Sequence, residues 1–518
     1  MPAQPSPFSK TAAPEVTIGW EPIPDTSQVW ALDSRCDETL YTGTRGPGKT
    51  TVQLMRFARR VGIGYGAYWR GAIFGRSYKA LSELVTQSKR FFPKIFGKHV
   101  KFMESSSAYF WEWDTGETLM FRQLKTMQEY TNNHHGSELP FIGWHELTQW
   151  PTSEMYDVMI SCNRSSWTLE KDGPRDEKGN IVVIPDIPLE VFSTTNSEGV
   201  GHSWVKSRFI DVAEYGHVVT TTATVFNPRS QREEEIQRTQ VTIFGSYREN
   251  IYLDPKYIAA LTDMCRKNEN LRKSWLEGSW DIVSGGAFDD VWNKNKHVIP
   301  MFRVPFTFRI DRSLDWGSTA PFSVGWWAEA TGETITFPDG KQWTPARGSL
   351  IQIGEYYGSV QIGTNKGIKL GSSALAMQIR EREIRLMTRR IVQSQPLPGP
   401  ADNQIRNVQD DDSDTIEKKM ADKGVRWTES DKSPGSRHNG LELMREMLDN
   451  ANNGEGPGLY FCEECRASIA TIPVLPRDED DTDDVDTSAE DHAYDMVRYR
   501  VLKGRNRIAK KLNVKFPM

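Results

Sequence analysis

The run Gly43-Thr44-Arg45-Gly46-Pro47-Gly48-Lys49-Thr50 has the spacing G-x-x-x-x-G-K-[ST]. Its chemistry is phosphate binding. The glycines let backbone N–H groups turn inward around phosphate oxygens, with Thr44, Arg45 and Pro47 completing the cradle. Lys49 supplies a point charge to the β- and γ-phosphates, and the Thr50 hydroxyl is the ligand for Mg²⁺, with Thr51 beside it. Hydrolysis of ATP also needs a carboxylate to orient the attacking water. Glu146, at the end of the apolar run Pro140-Phe-Ile-Gly-Trp-His145-Glu146, is the candidate, against the plainer reading of a surface glutamate. His145 stands where an aspartate is usual; a neutral imidazole accepts a hydrogen bond but brings no negative charge. Asp186, after Ile181-Val-Val-Ile184, is a rival carboxylate. The stretch 170–180 reads as an inserted loop leading into it, which favours Glu146. Ser193-Thr-Thr-Asn196 ends the next apolar segment. Asn196 is placed there to sense the γ-phosphate, although such residues also start turns and cap helices.

A second chemistry is spread along the C-terminal half. Asp315 ends Ser313-Leu-Asp315, Asp402 follows Gly399-Pro-Ala, and Asp491 and Asp495 stand at i, i+4 on one helix face. Brought together, such carboxylates hold two Mg²⁺ or Mn²⁺ ions roughly 3.5–4 Å apart for phosphodiester cleavage. Read from spacing alone, they are equally caps and surface residues. Lys432 and Arg437 are candidates for contact with a DNA backbone, or a solvated basic loop. Cys462-Glu-Glu-Cys465 has the spacing of half a zinc site, but no second Cys or His pair accompanies it. Two thiols beside a buried strand, Leu459–Phe461, is the better reading.

These residues need elements to position them. Glu38–Gly43 reads as a strand running into the glycine turn, and Lys49–Val61 as the helix after it, whose N-terminus adds partial positive charge. Strands are expected at Gly71–Gly75, Leu139–Trp144 and Leu189–Phe192, a hairpin around Asp114-Thr-Gly116, and a helix over Ser203–Ile210. A helical stretch over 254–276 opens on Asp254-Pro255. A second α/β pattern has strands at 306–315, 322–328, 350–357 and 388–393 and a helix near 373–385. The linker falls between about residues 281 and 300. The chain has 518 residues, which suits two or three domains. Its net charge of −5 excludes a generally basic surface, so any grip on DNA is local. Scattered cysteines point to a reducing compartment. No apolar run has the length of a membrane span, and the Pro/Ser-rich start lacks the pattern of a secretion signal.

The order of these motifs resembles the large subunit of the terminase of tailed bacteriophages, over about Gln28 to Leu502. The phosphate loop is followed by Gly75-Arg76-Ser-Tyr-Lys, similar to that family's arginine-bearing strand end. Gly136 to Thr148 resembles its catalytic-glutamate motif, and Ser193–Asn196 with Gly201-His-Ser-Trp204 its coupling motif. Leu276-Glu-Gly-Ser-Trp280, Gly285-Gly-Ala-Phe288 and His297-Val-Ile resemble its interdomain segment. Asp315, Asp402 and Glu490-Asp491-His492-Ala-Tyr-Asp495 resemble its nuclease motifs. The resemblance implies an α/β ASCE-type P-loop ATPase with a mostly parallel sheet, joined to an RNase H-like nuclease. It implies a tail at 1–25, the ATPase domain at 26–250, a helical subdomain and linker at 251–300, the nuclease at 301–500 and a basic tail at 501–518. It places Gln28 near adenine, Arg45 or Arg76 at the γ-phosphate, and Asp491 ahead of Asp495 as third metal ligand. The implied work is ATP-driven movement of double-stranded DNA through a portal protein into a prohead, and two-metal cutting of concatemers. The implied partners are a small terminase subunit and a homo-oligomeric ring on the portal, in the host cytoplasm, with no membrane. A helicase–nuclease of DNA repair and a non-enzymatic nucleotide switch are the alternatives.

Overall fold

The structure is a computed structural model. It describes residues 19–105, 108–228, 230–266, 269–281, 286–408, 414–478 and 480–511. Residues 1–18 of the expected tail, Gly285, and 512–518 of the basic tail lie outside them. The chain divides into two compact units, Met1–Trp280 and Asp281–Met518. The division falls inside the stretch 251–300. The helices Pro255–Cys265 and Glu269–Trp275 belong to the first unit.

The first unit is built on a nine-stranded sheet. Its strands are β1 (Glu38–Gly43), β2 (Arg70–Gly75), β3 (Val100–Ser105), β4 (Ala108–Trp113), β5 (Thr118–Gln123), β6 (Phe141–His145), β7 (Glu190–Thr194), β8 (Val218–Asn227) and β9 (Arg232–Gly245). The order is β3-β4-β5-β2-β6-β7-β1-β9-β8. From β5 through β9 every pairing is parallel, while β3-β4-β5 and β9-β8 are antiparallel. β1, β6 and β7 are buried along their whole length, as central parallel strands covered on both faces must be. Tyr41 joins one apolar cluster, with Val52, Phe57 and Trp69; its neighbour Leu40 joins another, with Phe74, Trp144 and Trp204. That alternation is the two-residue period of a strand between two layers. β7 separates the strand carrying the phosphate loop from the strand ending at Glu146, which is the ASCE order.

Helix α1 (Ser27–Asp33) is tied down by α2 (Lys49–Ala58). The buried Arg56 guanidinium donates to the carbonyls of Ala31, Leu32 and Ser34 at 2.7, 2.9 and 2.7 Å, and pairs with Glu190 at 2.8 Å. It satisfies carbonyls that the end of a short helix leaves without partners.

The second unit carries β10 (Val298–Ile299), β11 (Arg309–Asp315), β12 (Ser323–Glu329), β13 (Ile335–Thr336), β14 (Gln342–Trp343), β15 (Leu350–Tyr357), β16 (Pro400–Ala401), β17 (Thr428–Glu429) and β18 (Leu459–Cys462). β13 and β14 form a separate pair; the others make a sheet of order β10-β18-β15-β12-β11-β16-β17. β15-β12-β11 are antiparallel, and β16 and β17 continue parallel to β11. That is the RNase H-like arrangement. The helix His492–Lys511 lies along β11, fixed by a buried Arg500–Asp311 pair at 2.6 Å.

The strand expected at 388–393 is absent. The helix Ser372–Thr388 runs through its start, and Arg390 then takes a left-handed backbone at φ 57°. Ile391 N–H bonds back to Leu386 O at 3.0 Å, a helix stop that turns Val392 into the core. The apolar pair Ile391-Val392 fills a core position from a turn.

Candidate functional site

β1 delivers the phosphate loop to the C-terminal end of the central parallel strands. Gly43 lies opposite Gly245 of β9, and a side chain there would meet the Gly245 carbonyl at 2.0 Å. Gly46 and Gly48 have φ of 104° and 94°, a region that favours glycine. The loop is braced from outside. Thr44 N–H donates to Gly245 O at 2.9 Å, Tyr247 N–H to Thr44 Oγ1 at 2.6 Å, and Asn250 Nδ2 to Gly46 O at 2.7 Å. α2 starts at once after Gly48. It has neither a side-chain cap nor an acid in its first turn, so its leading N–H groups are left for an anion.

Lys49 arches back over the loop. Its Nζ donates to Thr44 O at 2.7 Å and to Asn196 Oδ1 at 2.8 Å. Burial pushes the Lys49 ammonium down to about 8, against the pull of Glu146. Glu146 sits at the tip of β6 in a left-handed conformation, φ 55°, which a non-glycine residue adopts only when held. Asn196, at the tip of β7, donates its backbone N–H to Glu146 Oε2 at 3.3 Å. Asn196 therefore stands between the lysine and the carboxylate. His145 is buried, its Nδ1 has no partner, and burial lowers its pKa, so the imidazole is neutral. Thr50 is half-buried in the first turn of α2, and Thr51 donates to Gln87 Oε1 at 3.1 Å. Asp186 is exposed on an irregular segment, its backbone carbonyl accepting from the Tyr65 hydroxyl.

Other expected residues have settled partners. Gln28 is buried, with Nε2 on Pro47 O at 2.7 Å and Oε1 accepting from Ile23 N–H at 3.1 Å. Arg76 donates to Gln149 O at 2.6 Å. Arg45 stacks on Trp275, 3.6 Å from its centroid, and pairs with Glu198 at 3.1 Å. Glu198 also accepts from Ser274 Oγ at 3.0 Å and from the Trp275 indole. Thr148 Oγ1 and Thr195 Oγ1 lie 2.8 Å apart, linking the segment after Glu146 to the segment after β7. Sequence reading missed Glu198 and Trp275, and it named Thr148 and Thr195 only as members of longer motifs. Glu198 lies only two residues beyond Asn196, but no local pattern marks a carboxylate that serves three distant partners.

In the second unit, Asp315 ends β11 and Asp402 follows β16. They are adjacent because Leu314 pairs with Ala401 and Asp402 N–H bonds Leu314 O at 2.9 Å. His492 Nδ1 lies 3.1 Å from Asp315 Oδ2, and its Nε2 2.9 Å from Asn365 Oδ1, which brings the start of the last helix to the end of β11. Burial, reinforced by Asp495, pushes Asp491 up to about 8; burial pushes Asp315 up to about 6 despite the His492 bond. Burial draws His492 down, but Asp315 and the other acids outweigh it and raise it to about 9. Asp495 accepts from Arg498 at 3.0 Å, and Lys432 pairs with Asp402 at 2.6 Å. Arg437 pairs with Asp484 at 2.6 Å and stands 3.9 Å from Asp495. Glu490 accepts from the Tyr357 hydroxyl at 2.7 Å, while its other oxygen is buried without a partner. Among the described residues no three such donors are grouped as a metal cage. The four aspartates share one region, and Asp315, Asp402 and Asp495 are tied to His492, Lys432 and Arg498 of the same chain. Cys462 and Cys465 are buried thiols beside β18, with burial raising both.

No protein-family model matches the chain. No curated protein matches it either. Solved structures similar to it include the large terminase of bacteriophage HK97, 11% identical, covering 92% of this chain and 93% of that one, with a TM-score of 0.40. A large terminase from a thermophilic bacteriophage is 15% identical over 92% of this chain and 98% of that one, with a TM-score of 0.36. The nuclease domain of the P22 large terminase is 12% identical over 43% of this chain and 93% of that one, with a TM-score of 0.30.

Proposed function

We propose that the chain is a terminase-type DNA-packaging subunit, an ATPase that moves double-stranded DNA and a nuclease that cuts it. The observation that carries this reading is that one chain holds both sites. Lys49, Asn196 and Glu146 meet beside a phosphate loop, and Asp315, Asp402, Asp491 and Asp495 gather on an RNase H-like sheet.

In the first site ATP lies across the loop, its phosphates on the N–H groups of Gly46 and of residues 48–51 and on Lys49. Lys49 must give up Asn196 to reach them. Glu146, no longer tied to Asn196, accepts the proton side of the attacking water and aims it at the γ-phosphorus. Arg45 and Arg76 are the guanidiniums available to meet γ-phosphate charge, each by leaving its present partner. Gln28 would exchange Pro47 for the adenine edge. The unpartnered His145 Nδ1 and the Thr50 hydroxyl suit Mg²⁺, Thr50 as ligand and His145 as acceptor for its water shell.

In the second site the donor set is hard oxygen, which suits Mg²⁺ or Mn²⁺. Two ions held by Asp315, Asp402 and Asp491, with Asp495 auxiliary, supply an activated water and stabilise the leaving oxygen when bound. Lys432 and Arg437 line the approach. Exchanging carboxylates for backbone phosphates gives them a grip that is salt-dependent and indifferent to sequence. A portal protein, a small terminase subunit and a ring of copies, in the host cytoplasm, complete the reading.

The test pairs two activities. ATPase and plasmid nicking are measured in Glu146→Ala, Asp186→Ala and Asp402→Ala. Glu146→Ala should lose hydrolysis alone, and Asp402→Ala cutting alone. Loss of hydrolysis in Asp186→Ala rather than Glu146→Ala would overturn the placement. Unwinding of a forked duplex without movement on blunt DNA would overturn the packaging role.

A further inference from the structure

We propose that β8 is a docking edge for a second copy of this chain, the two strands pairing antiparallel about Thr222. β9 pairs with β1 only from Gln240 to Gly245. Beyond that point Thr220–Asn227 and Arg232–Thr239 form a two-stranded ribbon with no third strand among the described residues. A lone two-stranded ribbon is marginal in water. The ladder has ten paired positions in unbroken register, and nearly all of β8 is exposed.

The outer side of β8 carries none of the usual guards. Strand edges are normally blunted by charge, proline, a bulge or short length. β8 reads Val-Val-Thr-Thr-Thr-Ala-Thr-Val-Phe-Asn, with no charge and no proline. β9, in contrast, carries Arg232, Glu233, Glu234, Glu235 and Arg238. The open edge is therefore on β8. Three consecutive glutamates on the same ribbon also argue against nucleic acid as its partner.

The sequence of β8 says which partner fits. Turned antiparallel on itself about Thr222, it sets Val218 against Phe226, Val219 against Val225, Thr220 against Thr224 and Thr221 against Ala223. Apolar residues meet apolar ones at both ends, and threonines meet at the centre. Such cross-strand pairs are the unit of sheet stability. Val218 and Phe226, 56% and 58% exposed, would cover each other twice in the symmetric pair. The result is a four-stranded antiparallel sheet with an isologous interface. This inference does not depend on either active site.

The two-fold gives a specific experiment on the full-length protein. Thr222 faces its own copy, so Thr222→Lys and Thr222→Glu each place like charges opposite one another. Each variant alone should sediment as a monomer at a concentration where the unmodified chain is dimeric, and an equal mixture should recover the dimer. Thr222→Cys should form an intermolecular disulfide on mild oxidation, because directly opposed Cα atoms lie about 4.5–5.5 Å apart. The five native cysteines are buried and leave that thiol the reporter. Thr224→Cys should cross-link at least tenfold less, since its partner is Thr220. A chain that stays monomeric at its highest soluble concentration would overturn the proposal. So would equal cross-linking at positions 222 and 224, or a mixture of charge variants that stays monomeric.

Discussion

Gly43→Ala puts a methyl group where β9 runs. The added carbon would stand 2.0 Å from the oxygen, 2.7 Å from the nitrogen and 2.8 Å from the carbonyl carbon of Gly245. All three are backbone atoms in a parallel ladder, so none rotates aside. Overpacking of this kind costs about 1–3 kcal/mol. The φ of 130° adds about 1–3 kcal/mol of backbone strain for alanine. Together these are roughly 2–6 kcal/mol, against a usual total of about 5–15 kcal/mol. The loop should shift as well, since Thr44 N–H bonds the same carbonyl. Gly62→Ala is the control: its φ is 76°, but nothing lies within 4 Å of the added carbon, so only strain acts. Urea unfolding followed by hydrogen exchange at β1 and β9 reads the stability, and a fluorescent ADP analogue reads the loop. At a slope of about 3 kcal/mol per molar urea, Gly43→Ala should lower the midpoint by roughly 0.7–2 M. Gly62→Ala should lower it by roughly 0.3–1 M, always less than Gly43→Ala, and keep nucleotide affinity. Equal shifts in the two variants, or normal ADP binding by Gly43→Ala, would refute the close approach as the reason for glycine.

Three further outcomes are expected. Glu146→Gln should cut ATP turnover by roughly 10²–10⁴-fold with ADP affinity nearly unchanged; turnover within threefold of the parent would remove Glu146 from the chemistry. Arg56→Ala should cost about 3–5 kcal/mol in urea unfolding, because Glu190 and three carbonyls lose a buried cation; a loss under about 1 kcal/mol would contradict it. His134, packed on Phe74, is pushed down to about 4 by burial. The unfolded chain then binds the extra proton, so this contribution is full above pH 6.5 and fades as pH falls toward 4. His134→Gln should flatten the urea midpoint between pH 6.5 and 4.5, and an unchanged slope would count against it.

The phosphate loop was legible because every one of its demands is local: a strand, three glycines and a helix start in consecutive residues. The place of Glu146 at a strand tip was legible from the apolar run before it, and the places of Asp315 and Asp402 at strand ends from the runs before them. What joins these groups was not. Asn196 meets Lys49 across 147 positions of chain, and Lys432 reaches Asp402 across 30. Only the fold creates such pairs. The strand expected at 388–393 failed because Ile391-Val392 is apolar for burial in a turn, and a short apolar run does not state its backbone. The β8–β9 ribbon went unread because threonines occupy both its faces, leaving little alternation to detect.

β9 gives the molecule a mechanical property. It is a single strand of 14 residues, one end against Gly43 and the other at the ribbon turn. At about 3.3 Å per residue it spans roughly 45 Å. A hydrogen-bonded strand is stiff along its axis. A load on the ribbon would therefore act along the same strand whose other end pairs with Gly43.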